Sequence, residues 1–104
     1  MSFAAQTPTV CISTTATSKS LAIPVGATSC RVTNTSTTLI VYVAFGIGSA
    51  TAVIPTPDGA GSACYALAPA SSAVVDIPGG ANFAASIASG AGPTLVYFTP
   101  GAEA

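Results

Sequence analysis

Catalysis at neutral pH needs a group that titrates near seven, a metal, or an activated nucleophile. This chain offers little from which to build one. It has no histidine, which removes Ser–His and Cys–His pairs together with the commonest metal ligand. Its acids are Asp58, Asp76 and Glu103, its bases Lys19 and Arg31, and its thiols Cys11, Cys30 and Cys64. Asp58 stands in a Pro-Asp-Gly turn, where aspartate is a turn former, and Asp76 comes immediately before an Ile-Pro-Gly-Gly-Ala turn. A glycosidase-like pairing of Asp58 with Asp76 is weighed against those turn roles and set aside. Gly46-Ile47-Gly48 and Gly59-Ala60-Gly61 lack the Lys-Ser/Thr that follows a phosphate loop, so turns explain them better. An odd number of cysteines without a CxxC spacing supports neither a disulfide framework nor a zinc site. The expectation is no catalytic residue, no cofactor, no metal, and reduced thiols of which at least two are buried.

The elements that carry these residues are short and β-rich. No window repeats apolar residues at helical spacing. Runs of β-branched and aromatic residues are instead punctuated by Gly, Pro, Asn and Ser. Strands are expected near 9–13, 18–23, 29–33, 39–45, 50–54, 63–67, 73–77, 83–88 and 94–99. The fold class is therefore all-β, an antiparallel β-sandwich of jelly-roll-like form with eight or nine short strands. Residues 1–8 are expected to form an N-terminal arm, and 9–104 a single domain. The expected core is Leu21, Ile23, Val32, Val41, Val43, Phe83, Ile87, Leu95 and Tyr97.

Composition points to burial against other proteins. Only 5% of the residues are charged and the net charge is −1, against roughly a quarter charged in an ordinary domain. A neutral, hydroxyl-rich surface is poorly protected against association. Two basic residues cannot supply the phosphate contacts of nucleic-acid binding. No apolar run reaches the roughly 20 residues of a membrane helix. The start of the chain has no basic segment followed by an apolar one, so synthesis in a cytoplasm is expected. The runs 39–45 and 95–98 are apolar on both faces, which requires a second cover; a neighbouring subunit is favoured over a loop of the same chain. The candidate interface residues are accordingly Ile40, Tyr42, Val96 and Phe98, with Phe3 as the anchor of the arm.

An internal echo runs through the chain. Ile23-Pro24-Val25-Gly26-Ala27 matches Ile77-Pro78-Gly79-Gly80-Ala81, and Ile40-Val41-Tyr42 matches Leu95-Val96-Tyr97. Either hairpins share turn chemistry by necessity, or two similar meanders make the two sheets.

Arg31-Val32-Thr33-Asn34-Thr35 followed by Val41-Tyr42-Val43-Ala44-Phe45-Gly46 resembles a pattern of small structural proteins of tailed-bacteriophage virions. Ala50-Thr51-Ala52, Ile77-Pro78-Gly79-Gly80-Ala81 and Val96-Tyr97-Phe98-Thr99-Pro100-Gly101 fit the same pattern. The resemblance covers roughly residues 20–101, with the cysteine content as a departure. It implies a capsid decoration (cement) protein that binds the major capsid protein lattice on the outside of the head as a homo-oligomer, trimer or dimer. It brings no catalytic residue. Other virion subunits (tail-tube, adaptor or head-fibre base) and a cellular ligand-binding sandwich are the alternatives.

Overall fold

The computed structural model describes residues 3–5, 9–23, 28–55, 64–77, 79–90 and 93–103, with 3–5, 102 and 103 described by their backbone alone. Nine strands form among these residues: β1 (Phe3–Ala5), β2 (Val10–Thr14), β3 (Lys19–Ala22), β4 (Ser29–Asn34), β5 (Val41–Gly46), β6 (Tyr65–Leu67), β7 (Ser72–Asp76), β8 (Phe83–Ala88) and β9 (Thr94–Glu103). All pairings are antiparallel. One sheet runs β1-β9-β4-β7 with β2 also on β9; the other runs β3-β8-β5-β6. Gly101 has Ser29 on one side and Ala5 on the other, while Phe98 has Val32 and Val10. Hence β1 and β2 lie end to end along one edge of β9, and each layer is four strands wide.

The order has a simple origin. Strands β2·β9, β3·β8, β4·β7 and β5·β6 pair like the two arms of one long hairpin. Rolling that hairpin adds the pairs β4·β9 and β5·β8 and gives a jelly roll. It also explains the first echo. Partner numbers sum to 105 in β3·β8 (Lys19 and Ser86) and in β4·β7 (Ser29 and Asp76). Ile23 N–H donates to the Asn82 carbonyl at 2.8 Å and Ile77 N–H to the Thr28 carbonyl at 2.9 Å. Both arms therefore pass from one layer to the other together, one between Ile23 and Thr28 and the other between Ile77 and Asn82, the stretches in which the two echoed segments fall. Equal length at these corners keeps the register across the crossing.

Alternation places the core between the layers. Cys30, Val32, Val41, Val43, Val96 and Phe98 are fully buried there, joined by Ile12, Ile23, Leu67, Val75, Ile77 and Ala84. Phe98 meets Phe45 edge-on, 6.5 Å between centroids and 88° between planes. Pro100 sits inside the longest strand without breaking it. Thr35 N–H bonds to the Leu95 carbonyl and Asn34 N–H to the Ser71 carbonyl, so odd-numbered β4 residues face β9 and even-numbered ones face β7. Cys30, opposite Pro100, needs no donor from it. On the other edge, Pro100 falls between Ala5↔Gly101 and Val10↔Phe98, where neither β1 nor β2 pairs. A missing N–H is tolerated at such a place.

Three buried polar side chains, Thr14, Ser86 and Asn34, are matched. Thr14 and Ser86, both fully buried, join the two layers through a 2.7 Å hydroxyl–hydroxyl bond. Asn34 is almost fully buried. Its Nδ2 donates to the carbonyls of Leu39 (2.9 Å), Ala68 (3.2 Å) and Leu67 (3.3 Å), and its Oδ1 accepts from Ser36 N–H at 3.0 Å. One amide thus closes the β4–β5 turn and holds it to the end of β6. At the far end of β5, a Cβ on Gly46 would collide with the Ser49 carbonyl oxygen, so the tight turn there requires glycine.

Several expectations are corrected. The arm 1–8 contains β1, which pairs with the end of β9 in its own chain, because β9 runs on past β2 and leaves that edge to fill. No strand forms at 50–54; this segment lies over the outside of β5 and β8, with Ala52 buried against Ala44 and Ala85. The second cover over the β5 run is thus the same chain, not a neighbour. Ser18 Oγ fastens it by accepting Ala52 N–H at 2.9 Å. Leu95 (45% exposed) and Tyr97 (37%) face outward, while Val96 and Phe98 face inward and are not interface residues. Leu21 is 40% exposed because β3 is an edge strand. Phe83 and Ile87 are half-buried.

Two stability measurements follow. Asn34→Ala orphans buried carbonyls that each cost about 1–3 kcal/mol to leave unpaired; urea unfolding should show a loss of about 3 kcal/mol. Phe98→Ala should cost about 3–5 kcal/mol as a large core truncation, with Phe83→Ala clearly milder. The reverse ranking would contradict the register of β9.

Candidate interaction surfaces

The ionisable groups are dispersed. Lys19 on β3, Arg31 on β4 and Asp76 on β7 are each exposed, on three different strands. Asp58 lies outside the described residues, so its pairing with Asp76 does too. Among the described residues, no group of three His, Cys, Asp or Glu side chains comes together.

The thiols occupy three environments. Cys30 is sealed between the layers, and burial pushes its pKa up to about 12 against a weaker opposing bond to the Thr99 backbone. Cys64 is half-buried under the cover segment, its Sγ 3.4 Å from Val53 N and 3.5 Å from Val53 O. Cys11 is exposed, so only one thiol is fully buried where two were expected.

Of the proposed interface residues, Ile40 is 38% exposed just before β5. Tyr42 is half-buried on the outer side of its sheet, opposite Ile87. Phe3 is placed by its backbone only. Val96 and Phe98 belong to the core, as described above.

Two candidate surfaces remain. The first is the outer face of the β2-β9-β4-β7 layer. There Leu95 and Tyr97 stand between Ser13 and Cys11 on one side and Thr35 and Thr33 on the other. Its hydroxyls bond laterally, Thr9 to Thr99 at 2.7 Å and Thr33 to Ser72 at 3.1 Å. That leaves two large apolar side chains exposed on a face that also bears Arg31, with its Nη1 3.5 Å from Ser72 Oγ, and Asp76 at the β7 edge. The second surface is the outside of the cover segment, where Val53 (52% exposed) and Ile54 (38%) project. The layers are thus unlike: among the described residues one outer face is covered by its own chain and the other is not. Sequence reasoning missed both surfaces, although the second echo carried the signal. Ile40-Val41-Tyr42 and Leu95-Val96-Tyr97 share one orientation, valine inward and tyrosine outward.

No protein-family model matches the chain, no curated protein matches it in sequence, and no solved structure matches it in fold. Among the described residues no helix is long and apolar enough to cross a membrane.

The thiols generate a pH prediction. An unfolded cysteine titrates near about 8.5, while folded Cys30 titrates near about 12. The folded state therefore holds this proton more tightly. Its contribution is complete below the unfolded pKa and is lost as pH rises from there toward the folded value. Denaturation series should show stability falling across that alkaline window, with Cys30→Val reducing the fall. A thiol reagent should label native protein first at Cys11, then at Cys64, and at Cys30 only on unfolding.

Proposed function

We propose that this chain is a non-enzymatic structural subunit that binds the outer surface of a protein shell and stabilises it, as a decoration (cement) protein on a bacteriophage head. Its partner in this reading is the major capsid protein, and its place is the virion after synthesis in the host cytoplasm. The observation that carries the reading is the outer face of the β2-β9-β4-β7 layer, where Leu95 and Tyr97 are exposed between the hydroxyls of Ser13 and Thr33, with Arg31 and Asp76 as the charged residues toward β7. The Leu95–Tyr97 patch itself carries no ion, so desolvating it avoids the largest cost of burying polar surface, provided Arg31 and Asp76 on the β4–β7 side of the same face stay at the rim. Large side chains at the centre of a flat patch, ringed by energetically quiet contacts, are where binding energy concentrates.

Dimensions explain why a lattice suits this face. Four strands about 4.8 Å apart and five residues of about 3.4 Å each span roughly 320 Å², below the roughly 800 Å² per partner of a stable pairwise complex. A face of that size binds weakly once and firmly when repeated, because neighbouring contacts raise the effective concentration of the next. The jelly roll supplies the rigidity. The sequence resemblance to virion structural proteins supports the same reading.

The test uses intact phage heads lacking their decoration. Wild-type protein should bind them, and Leu95→Asp or Tyr97→Asp should weaken binding roughly tenfold or more, as for central interface positions, with unfolding midpoints unchanged. Undiminished binding by both variants would remove this face from the account. No binding by wild type would remove the function.

A further inference from the structure

Each sheet of an open sandwich ends in strands whose outward N–H and C=O groups have no partner, and proteins blunt such edges with charge, brevity or side-chain caps. Three of the four edges here carry such a device. Strand β3 has four residues and bears exposed Lys19; β6 has three residues. Strand β7 bears exposed Asp76, whose carbonyl accepts the Tyr65 hydroxyl at 3.2 Å. Strand β2, Val-Cys-Ile-Ser-Thr, has none: five residues with no charge and no proline.

The free groups on β2 can be named. Leu95 accepts from Thr35 on β4, so even-numbered β9 residues turn their backbone toward β2. Their partners Val10, Ile12 and Thr14 face β9. Cys11 and Ser13, both exposed, therefore direct N–H and C=O away from the sheet.

We propose that β2 is a self-association edge at which a second copy of this chain adds its own β2, antiparallel, about a two-fold axis through Ile12. In this register all five residues pair. Cys11 exchanges both backbone hydrogen bonds with Ser13 of the other copy, and Ser13 with Cys11 of the other copy. Ile12 meets Ile12 on the inner side, and Val10 meets Thr14. A register centred on Cys11 would instead set Ser13 and Thr14 opposite residues that precede the strand, leaving only three positions paired within β2. Self-pairing is favoured over a foreign strand because this register matches outward with outward and inward with inward positions, with no charge on either side. The result is one sheet in which β9 of each copy lies one strand from the axis, so the two Leu95–Tyr97 patches become neighbours on a single face.

A five-residue edge is about 17 Å long, so it buries far less than the roughly 800 Å² per partner of a stable dimer. The pairing is therefore weak in dilute solution and forms when copies are concentrated, as on a lattice. This deepens the oligomeric part of the proposed function, yet it can be tested without any capsid.

Sedimentation equilibrium up to millimolar protein should show reversible self-association to a dimer. Ser13→Pro removes an outward N–H that bonds to nothing in the monomer, and should abolish the dimer. Ser13→Lys places charge on the same edge and should do likewise, and it carries the test if the proline variant folds poorly. Ser13→Cys sets a new thiol opposite Cys11 of the other copy, at a Cα separation near 5.5 Å that a disulfide accommodates. Mild oxidation should link that variant into covalent dimers faster than wild type. A wild type that stays monomeric at millimolar concentration, or a dimer that survives both Ser13→Pro and Ser13→Lys, would overturn the proposal. Leu95→Asp, by contrast, should leave the dimer intact, so loss of shell binding and loss of pairing are separate outcomes.

Discussion

The register of β9 is the constraint on which the rest of the structure depends. This strand pairs with β4 on one side and with β2 and β1 in succession on the other. It sends Val96 and Phe98 into the core and Leu95 and Tyr97 outward. Side chains alternate with period two, so a slip of one residue would exchange these pairs. Three features hold it in place. The Phe98 ring stacks edge-on against Phe45 from the opposite layer. Pro100 fits only where its missing N–H has no partner to disappoint. Thr35 bonds the Leu95 carbonyl through both N–H (3.4 Å) and Oγ1 (2.7 Å).

That constraint also links fold to composition. A chain with so few charges cannot keep its layers apart from other molecules by repulsion, so exposed apolar groups must be few and placed where they serve. Small residues let the chain close over its own second layer: Ala44, Ala52 and Ala85 form a satellite cluster under the cover segment. Among the described residues the first layer has no such cover. On its outer face the hydroxyls of Thr9, Thr99, Thr33 and Ser72 bond along the sheet, and Arg31 reaches Ser72 among them.

Much of the fold was legible in the sequence, for reasons that differ by element. Turn residues with preset or positive φ separated eight of the strands, and alternation assigned Ile23, Val32, Val41 and Val43 to the core. Alternation failed at 95–98, where both parities are apolar and the pattern carries no sign. The Ile-Val-Tyr and Leu-Val-Tyr echo held the missing sign, since Val41 was already assigned inward. The segment 50–54 has the composition of a strand, but a half-buried cover needs small residues on one side just as a strand does. Asn34 could not be read as a keystone, because its partners at Leu67 and Ala68 are distant in sequence. The open face became visible only once the cover was seen to lie on the other layer.

The account therefore rests on which side of β9 faces a partner, and hydroxyl-radical footprinting of free and shell-bound protein reads this most directly. The account predicts that Tyr97 is oxidised in the free protein and protected on the shell, while Phe98 stays unmodified in both. Oxidation of Phe98 in the folded free protein, or Tyr97 labelled equally with and without the shell, would contradict it.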